Sequence, residues 1–273
     1  MGVALNEEGL ALSGSPKPSY MGRILDVLEL AVISDDAPLT MTEISERARV
    51  PISTTSRLIK NLEEWDFLVQ DGHGKYLPGG RVVRMAVVVS AQLHTPQRIE
   101  AATTRITQAT GESVTGGLII GDRVVIVART ESEHPLRAVH RVGEQVSPTA
   151  SALGKAILSR SSEQRKRELA AAWERDDDSP SLEELDSELQ QALEDGYTKD
   201  EETFAPGLRC RAVPIIGQDG MAVGAVSVAG PAARFRPEIA DEAAQLLMNE
   251  AAALSSLPTD HAVTFSREVS HVD

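Results

Sequence analysis

The sequence predicts an α+β chain in which an N-terminal winged helix-turn-helix domain is joined by a helical linker to a larger domain of mixed helices and strands. Three observations carry this. Three short amphipathic helices precede a hairpin within the first 80 residues. Beyond Gly111 the texture changes to glycine-punctuated β segments. Apolar residues make up 41% of the 273 residues but aromatics only 3%, so the cores must be built from Ala, Val, Ile and Leu. The boundaries expected are a disordered arm over 1–18, the winged domain over 19–80, the linker helix over 81–95, the second domain over 96–256 and a flexible tail over 257–273.

Residues 1–18 mix Gly, Ser, Pro and acidic groups without periodicity. Ile24, Val27, Leu28, Ala31 and Val32 then recur at helical spacing. Asp35-Asp36-Ala37-Pro38 stops that helix. Thr40-Met-Thr-Glu43 has the form of a capping box and opens a second helix that buries Ile44 and Ala48. After Val50-Pro51, residues 52–65 form the third helix. In residues 67–78 two short extended stretches flank Asp71-Gly72, a hairpin signal. Residues 81–94 could also be read as β, but the adjacent Thr95-Pro96, which starts another helix, favours a helical linker. Strands are expected at 113–120, 123–130 and 136–142, followed by helices at 151–160, 163–173 and 182–195. Two more strands, 210–216 and 221–229, flank the turn signal Gln218-Asp219-Gly220. A final helix spans 237–254, with Ile239, Ala243, Leu246, Leu247 and Leu254 on one face.

Composition narrows the class of protein. The formal charge of −14 disfavours a surface that coats nucleic acid or anionic membrane throughout. The acid is unevenly spread, however. Residues 19–85 hold 8 Lys+Arg against 10 Asp+Glu, whereas residues 86–273 hold 18 against 29. The single cysteine, Cys210, excludes an intrachain disulfide. No apolar run approaches a bilayer span, and Glu7 and Glu8 stand where a signal peptide needs positive charge. A soluble cytoplasmic protein, with no membrane partner, is expected.

On helix 52–65, Thr55, Leu58, Ile59 and Leu62 share the core side, with Ser53, Arg57 and Lys60 opposite and Ser56 on the flank. A helix that reads the major groove needs an apolar back to hold it, and short hydroxyls and long cations to reach bases and phosphates. Any surface helix shows Ser, Arg and Lys outward, so it is the hairpin behind the three helices that turns this face into a candidate reader of double-stranded DNA. The candidate contacts are Thr42, Ser53, Thr54, Ser56, Arg57 and Lys60, with His73 and Lys75 from the hairpin. Few cations lie there, so dimerisation over the half-sites of a palindromic operator is expected.

Several segments together resemble one family: Pro51-Ile-Ser-Thr-Thr-Ser-Arg-Leu58, Leu136-Arg-Ala-Val-His-Arg-Val-Gly143, Pro148-Thr-Ala-Ser-Ala-Leu-Gly-Lys-Ala156, Asp200-Glu-Glu202, Gly207-Leu-Arg-Cys-Arg-Ala-Val-Pro214 and Ala225-Val-Ser-Val-Ala-Gly-Pro231. In order and over about 230 residues, they are similar to the IclR-type transcriptional regulators. The resemblance implies a GAF-like effector-binding domain, a homodimer or dimer of dimers, and a regulator, more often a repressor, of a catabolic or metabolic operon. Its effector positions fall on Val146, Ala152, Leu153, Asp200, Cys210, Ser227 and Ala229. The opening of a helix near Ala152 offers free N–H groups to a carboxylate. Asp200 would oppose such an anion, and would instead take a ligand hydroxyl, be protonated, or pair with Arg209. Leu153 and Ala229 replace a small residue and a hydroxyl residue common in the family. That points to an effector less polar than glyoxylate or pyruvate, such as an aromatic acid. Ile52 replaces a common lysine and removes a phosphate contact.

Catalysis has little support. The six histidines form no H-x-x-x-H or H-E-x-x-H, and one cysteine cannot build a thiolate zinc site. Ser151-Ala-Leu-Gly-Lys155 misses S-x-x-K by one residue, and no G-x-S-x-G, P-loop or G-x-G-x-x-G occurs. The acidic pairs at 176–178 and 201–202 read as solvated. No catalytic residue, metal or cofactor is expected. The competing reading is an architectural or adaptor DNA binder with no effector.

Overall fold

The computed structural model describes residues 19–33, 38–92, 94–173 and 180–255. The arm over 1–18, the helix stop at Asp35–Ala37, the acidic run 176–178 and the tail from residue 256 lie outside the described residues. The chain divides into two compact units, Met1–Gln92 and Leu93–Asp273.

The first unit runs α1 (Tyr20–Ile33), β1 (Leu39–Thr40), α2 (Met41–Arg47), α3 (Ile52–Glu64), β2 (Leu68–Gln70), β3 (Lys75–Pro78) and α4 (Gly80–Gln92). The Thr40 capping box is complete. Thr40 Oγ1 accepts the Glu43 N–H at 3.4 Å, and Glu43 Oε2 accepts the Thr40 N–H at 2.7 Å, a cap worth about 1 kcal/mol. The turn between α2 and α3 is tight. Arg49 takes a left-handed backbone (φ 52°), and Ser45 Oγ donates to Val50 O at 2.7 Å. Val27, Ala31, Ile44, Leu58, Ile59, Leu62 and Tyr76 close one core. The hairpin falls where Asp71-Gly72 places it. An unforeseen strand, β1, pairs with β3 through Leu39 and Tyr76 and makes a sheet ordered β1-β3-β2. Residues 81–92 of the expected linker are helical.

The second unit runs α5 (Thr95–Thr110), β4 (Ser113–Ile120), β5 (Arg123–Thr130), α6 (Ala152–Ser159), α7 (Glu163–Ala172), α8 (Leu182–Asp195), β6 (Thr198–Glu201), β7 (Leu208–Ile216), β8 (Ala222–Pro231) and α9 (Pro237–Ser255). The strands form an antiparallel sheet ordered β5-β4-β8-β7-β6. Alternation along β8 separates two cores. Val226 and Val228 join Ile99, Ile106 and Leu247 of α5 and α9, while Ala225 and Ala229 join Leu153 and Ile157 of α6 and Leu185 and Leu189 of α8. No helix among the described residues is long and apolar enough to cross a membrane.

One strand expectation needs correction, and one strand was not foreseen. Residues 136–142 are irregular, not β. Leu136, Val139 and Val142 remain 66%, 46% and 57% exposed, and only Ala138 between them packs against a core, so the segment has no apolar face to bury as a strand. The sheet is met only further on, by residues 143–146. Gly143 N–H donates to Ile126 O and Ile126 N–H to Glu144 O, both at 2.8 Å, and Val146 N–H donates to Val124 O at 3.0 Å. This short strap lies along the outer edge of β5. Conversely, β6 reads as a polar run, Thr-Lys-Asp-Glu, yet pairs with β7 and buries Thr198 and Asp200 while exposing Lys199 and Glu201.

Candidate functional sites

α3 is held by four buried residues, Thr55, Leu58, Ile59 and Leu62. The Thr55 hydroxyl donates to the carbonyls of Val50 and Pro51, each at 3.3 Å, so this buried polar group is satisfied within the turn. The opposite face exposes Ser53, Ser56, Arg57 and Lys60, while Thr54 is half-buried on the flank. Thr42 is exposed in the first turn of α2. His73 is exposed at the hairpin tip, and Lys75 is half-buried in β3. Asp71 Oδ1 accepts the N–H groups of His73 and Lys75, both at 2.8 Å, which fixes the tip. The Lys75 N–H, more than that of His73, holds the Asp71 carboxyl below its ordinary range. Arg81 stacks over Trp65 and Phe67 at 5.6 and 5.2 Å, placing a cation beside the end of α3 that sequence reasoning did not single out.

The second unit holds a small, partly open cavity between the sheet and the start of α6. Six of the seven residues expected from the resemblance line it: Val146, Ala152, Leu153, Cys210, Ser227 and Ala229. They come from one loop, one helix and two strands. Thr115, Ile126, His140, Ser151, Phe204 and Leu208 complete the lining and were not foreseen. Thr115 had a signal only in the register, since it stands directly across from Ser227 on neighbouring strands. No hydrogen bond engages the hydroxyls of Thr115 and Ser227 among the described residues. Ser151, by contrast, is used up as the N-cap of α6. Its Oγ accepts the Gly154 N–H at 3.0 Å and donates to Ser147 O at 2.6 Å. The first-turn N–H groups of α6, at Ala152 and Leu153, have no acceptor within the helix and carry its positive dipole end.

Asp200 stands apart from the lining. It is 1% exposed on β6, opposite Cys210. Its Oδ1 accepts the N–H groups of Thr203 and Phe204 at 2.9 and 3.3 Å, so it shapes the turn that delivers Phe204 to the cavity. Burial raises its pKa against the pull of those N–H groups, which favours the neutral acid. Of the three alternatives raised for Asp200, the pairing with Arg209 is not made. Strand alternation turns Asp200 inward and Glu201 outward, and it is Glu201 that bonds the Arg209 guanidinium. Arg211, 1% exposed, pairs with Glu201 at 2.6 Å and Asp241 at 2.8 Å. Cys210 is a buried wall residue. Burial, with a smaller push from the Asp200 charge, drives its thiol pKa far up, so it is no nucleophile.

Comparison with known proteins places both units. Residues 22–72 match the IclR helix-turn-helix domain, and residues 86–256 match the bacterial transcriptional regulator IclR C-terminal domain. The transcriptional regulator BhcR of Paracoccus denitrificans is 28% identical over 239 residues, covering 83% of this chain and 82% of its own. The crystal structure of the Thermotoga maritima IclR superposes with a TM-score of 0.65 at 25% identity, over 86% of this chain and 96% of the other. An IclR homologue from Microbacterium hydrocarbonoxydans, crystallised with 4-hydroxybenzoate, has the same fold. Its TM-score is 0.70 at 22% identity, over 87% and 98% of the two chains.

Proposed function

The chain belongs to the IclR family and is a DNA-binding transcriptional regulator, not an enzyme; from that premise we propose that it is a repressor whose grip on a palindromic operator is set by a small, largely apolar carboxylic acid bound in the cavity of the second unit. The carrying observation is the lining of that pocket, where apolar side chains from three strands, one helix and two loops meet a few convergent polar groups. Ile126, Val146, Leu153, Phe204 and Leu208 would take an apolar or aromatic body. The α6 N-terminus and the free hydroxyls of Thr115 and Ser227 would take the carboxylate. Asp200 supports the site from behind by holding Phe204. Ser53, Thr54, Ser56, Arg57 and Lys60 on α3, with Thr42, His73 and Lys75 around them, would meet DNA.

The reading includes a homodimer. On α4, Val83, Met85, Val87, Val88 and Val89 are all at least half exposed, and so many exposed apolar side chains on one helix call for cover. A second copy of the chain covers it and supplies the second reading helix that two half-sites require.

The experiment is a gel-shift titration at fixed salt on a duplex selected from a random pool, with and without a panel of benzoates. Arg57→Ala is expected to abolish specific binding without changing the melting temperature. Panel members that weaken DNA binding are expected to raise the melting temperature of the free protein, and Ser227→Ala to reduce that rise. Unchanged DNA affinity for Arg57→Ala would remove α3 as the reading helix. No thermal response to any acid would favour an architectural DNA binder without an effector.

A further inference from the structure

Among the residues lining the cavity, His140 carries the titratable ring. It sits in the irregular loop before the strap, with its side chain 21% exposed. Its Nδ1 lies 3.4 Å from Glu144 Oε1. The other carboxylate oxygen of Glu144 accepts the Arg141 N–H at 2.7 Å. Burial alone would raise the Glu144 pKa, but the His140 ring, the Arg141 N–H and the Arg141 charge together hold it below its ordinary value. An ionised carboxylate only accepts hydrogen bonds. The proton of the neutral ring must therefore sit on Nδ1, which leaves Nε2, on the opposite edge of a ring that lines the cavity, as an acceptor with no hydrogen-bond partner among the described residues. Arg129 of β5 is engaged with the His140 carbonyl and with Glu131, and so secures the loop.

We propose that His140, oriented by Glu144, selects effectors bearing a hydroxyl group that donates to Nε2. This rests on the effector reading of the cavity and deepens it, because the polar groups then divide the work. The α6 N-terminus with Thr115 and Ser227 receives the acid, and His140 receives a hydroxyl elsewhere on the same molecule. A hydroxylated acid is preferred over its deoxy analogue because the latter leaves a half-buried acceptor without a donor.

The test is calorimetric titration of the full chain with benzoate, 3-hydroxybenzoate and 4-hydroxybenzoate, together with ¹⁵N NMR of the histidine rings. One hydroxybenzoate should bind at least ~10-fold more tightly than benzoate. His140→Phe should bring the two within about threefold by removing the acceptor. Glu144→Gln keeps the ring but lets an amide N–H face Nδ1, and should erase the preference too. A ring that only filled space would not respond to that change. The NMR should show the neutral His140 ring protonated at Nδ1. A proton on Nε2, no preference in the wild type, or a preference that survives His140→Phe would overturn the proposal. Ser227→Val separates the two levels. If it weakens all the acids while His140→Phe changes nothing, the cavity stands and the role of His140 falls. If neither substitution affects binding, the acids bind elsewhere and the cavity reading falls with it.

Discussion

Replacing Gly154 with alanine tests whether the roof of the cavity is set by a backbone-on-backbone contact. Gly154 lies in the first turn of α6, and a methyl group there would fall 2.4 Å from Ser147 O, 2.5 Å from Pro148 Cα and 2.6 Å from Pro148 O. Each distance is about an ångström short of ordinary contact, ~3.5 Å. None of the three atoms is the tip of a flexible side chain, so residues 147–148 must withdraw. Withdrawal strains the bond from Ser151 Oγ to Ser147 O, 2.6 Å long, and with it the N-cap of α6. Overpacking costs roughly 1–3 kcal/mol and a weakened buried hydrogen bond about 1 kcal/mol, while alanine regains about 1 kcal/mol of helix propensity. The net is a loss of about 2 kcal/mol, or roughly 4–8 °C in melting temperature for a domain of this size. Scanning calorimetry of the full chain should show that loss, and the thermal response to benzoates should weaken with it. Gly72→Ala is the control. A methyl group there meets nothing within 4 Å, so its cost should stay below about 0.5 kcal/mol. A melting temperature for Gly154→Ala equal to or above that of the parent would show that helix propensity outweighs the contact, and the roof would then have another cause.

Two further outcomes follow from buried titratable groups. Burial raises the pKa of Asp200 above the ordinary 3.8, so above that pH the folded state holds a proton the unfolded state has released. Its contribution therefore falls as pH rises through this window. Asp200→Asn keeps an oxygen for Thr203 and Phe204 and should be as stable as the parent at neutral pH. In urea titrations from pH 4 to 7, the stability difference between the two proteins should shift in favour of the variant as pH rises; a difference that moves the other way would mean the native site prefers the carboxylate. Cys210 is buried with its thiol pKa pushed up, so iodoacetamide at pH 8 should label it only in denaturant, as read by intact mass. Rapid labelling of the native chain would show that the β7 wall opens.

The reach of the sequence follows the range of the interactions. The helices of the first unit were legible because their signals are local: the Thr40 box, the Pro51 break and the 3.6-residue rhythm of Thr55, Leu58, Ile59 and Leu62. β1 and β6 were not, because each is a short strand defined by its partner. Residues 136–142 misled for the converse reason, carrying scattered Leu and Val that read as a strand but find no partner strand. The same holds at the cavity. The resemblance marked six lining positions and quoted the segment that holds His140 without assigning it a role, while Thr115 and Ile126 belong to the site only because β4 and β5 meet the rest there in space. Asp200 lay in a marked motif, and only the register of β6 against β7 shows that it faces the Thr203–Phe204 turn and not Arg209.

The strap along β5 has a consequence for the behaviour of the protein in concentrated solution. Its hydrogen bonds to Val124 and Ile126 satisfy backbone groups that would otherwise form a bare, β-branched sheet edge, the kind that recruits strands from other molecules. The strap also carries Val146, and the loop leading into it carries His140, so one wall of the cavity and the guard on that edge are the same few residues. Whatever loosens the wall to admit a ligand uncovers the edge, and a ligand that seats the wall keeps it covered. Shelf life at high concentration should therefore track occupancy of the cavity, and turbidity on storage becomes a reporter of ligand binding that requires no DNA.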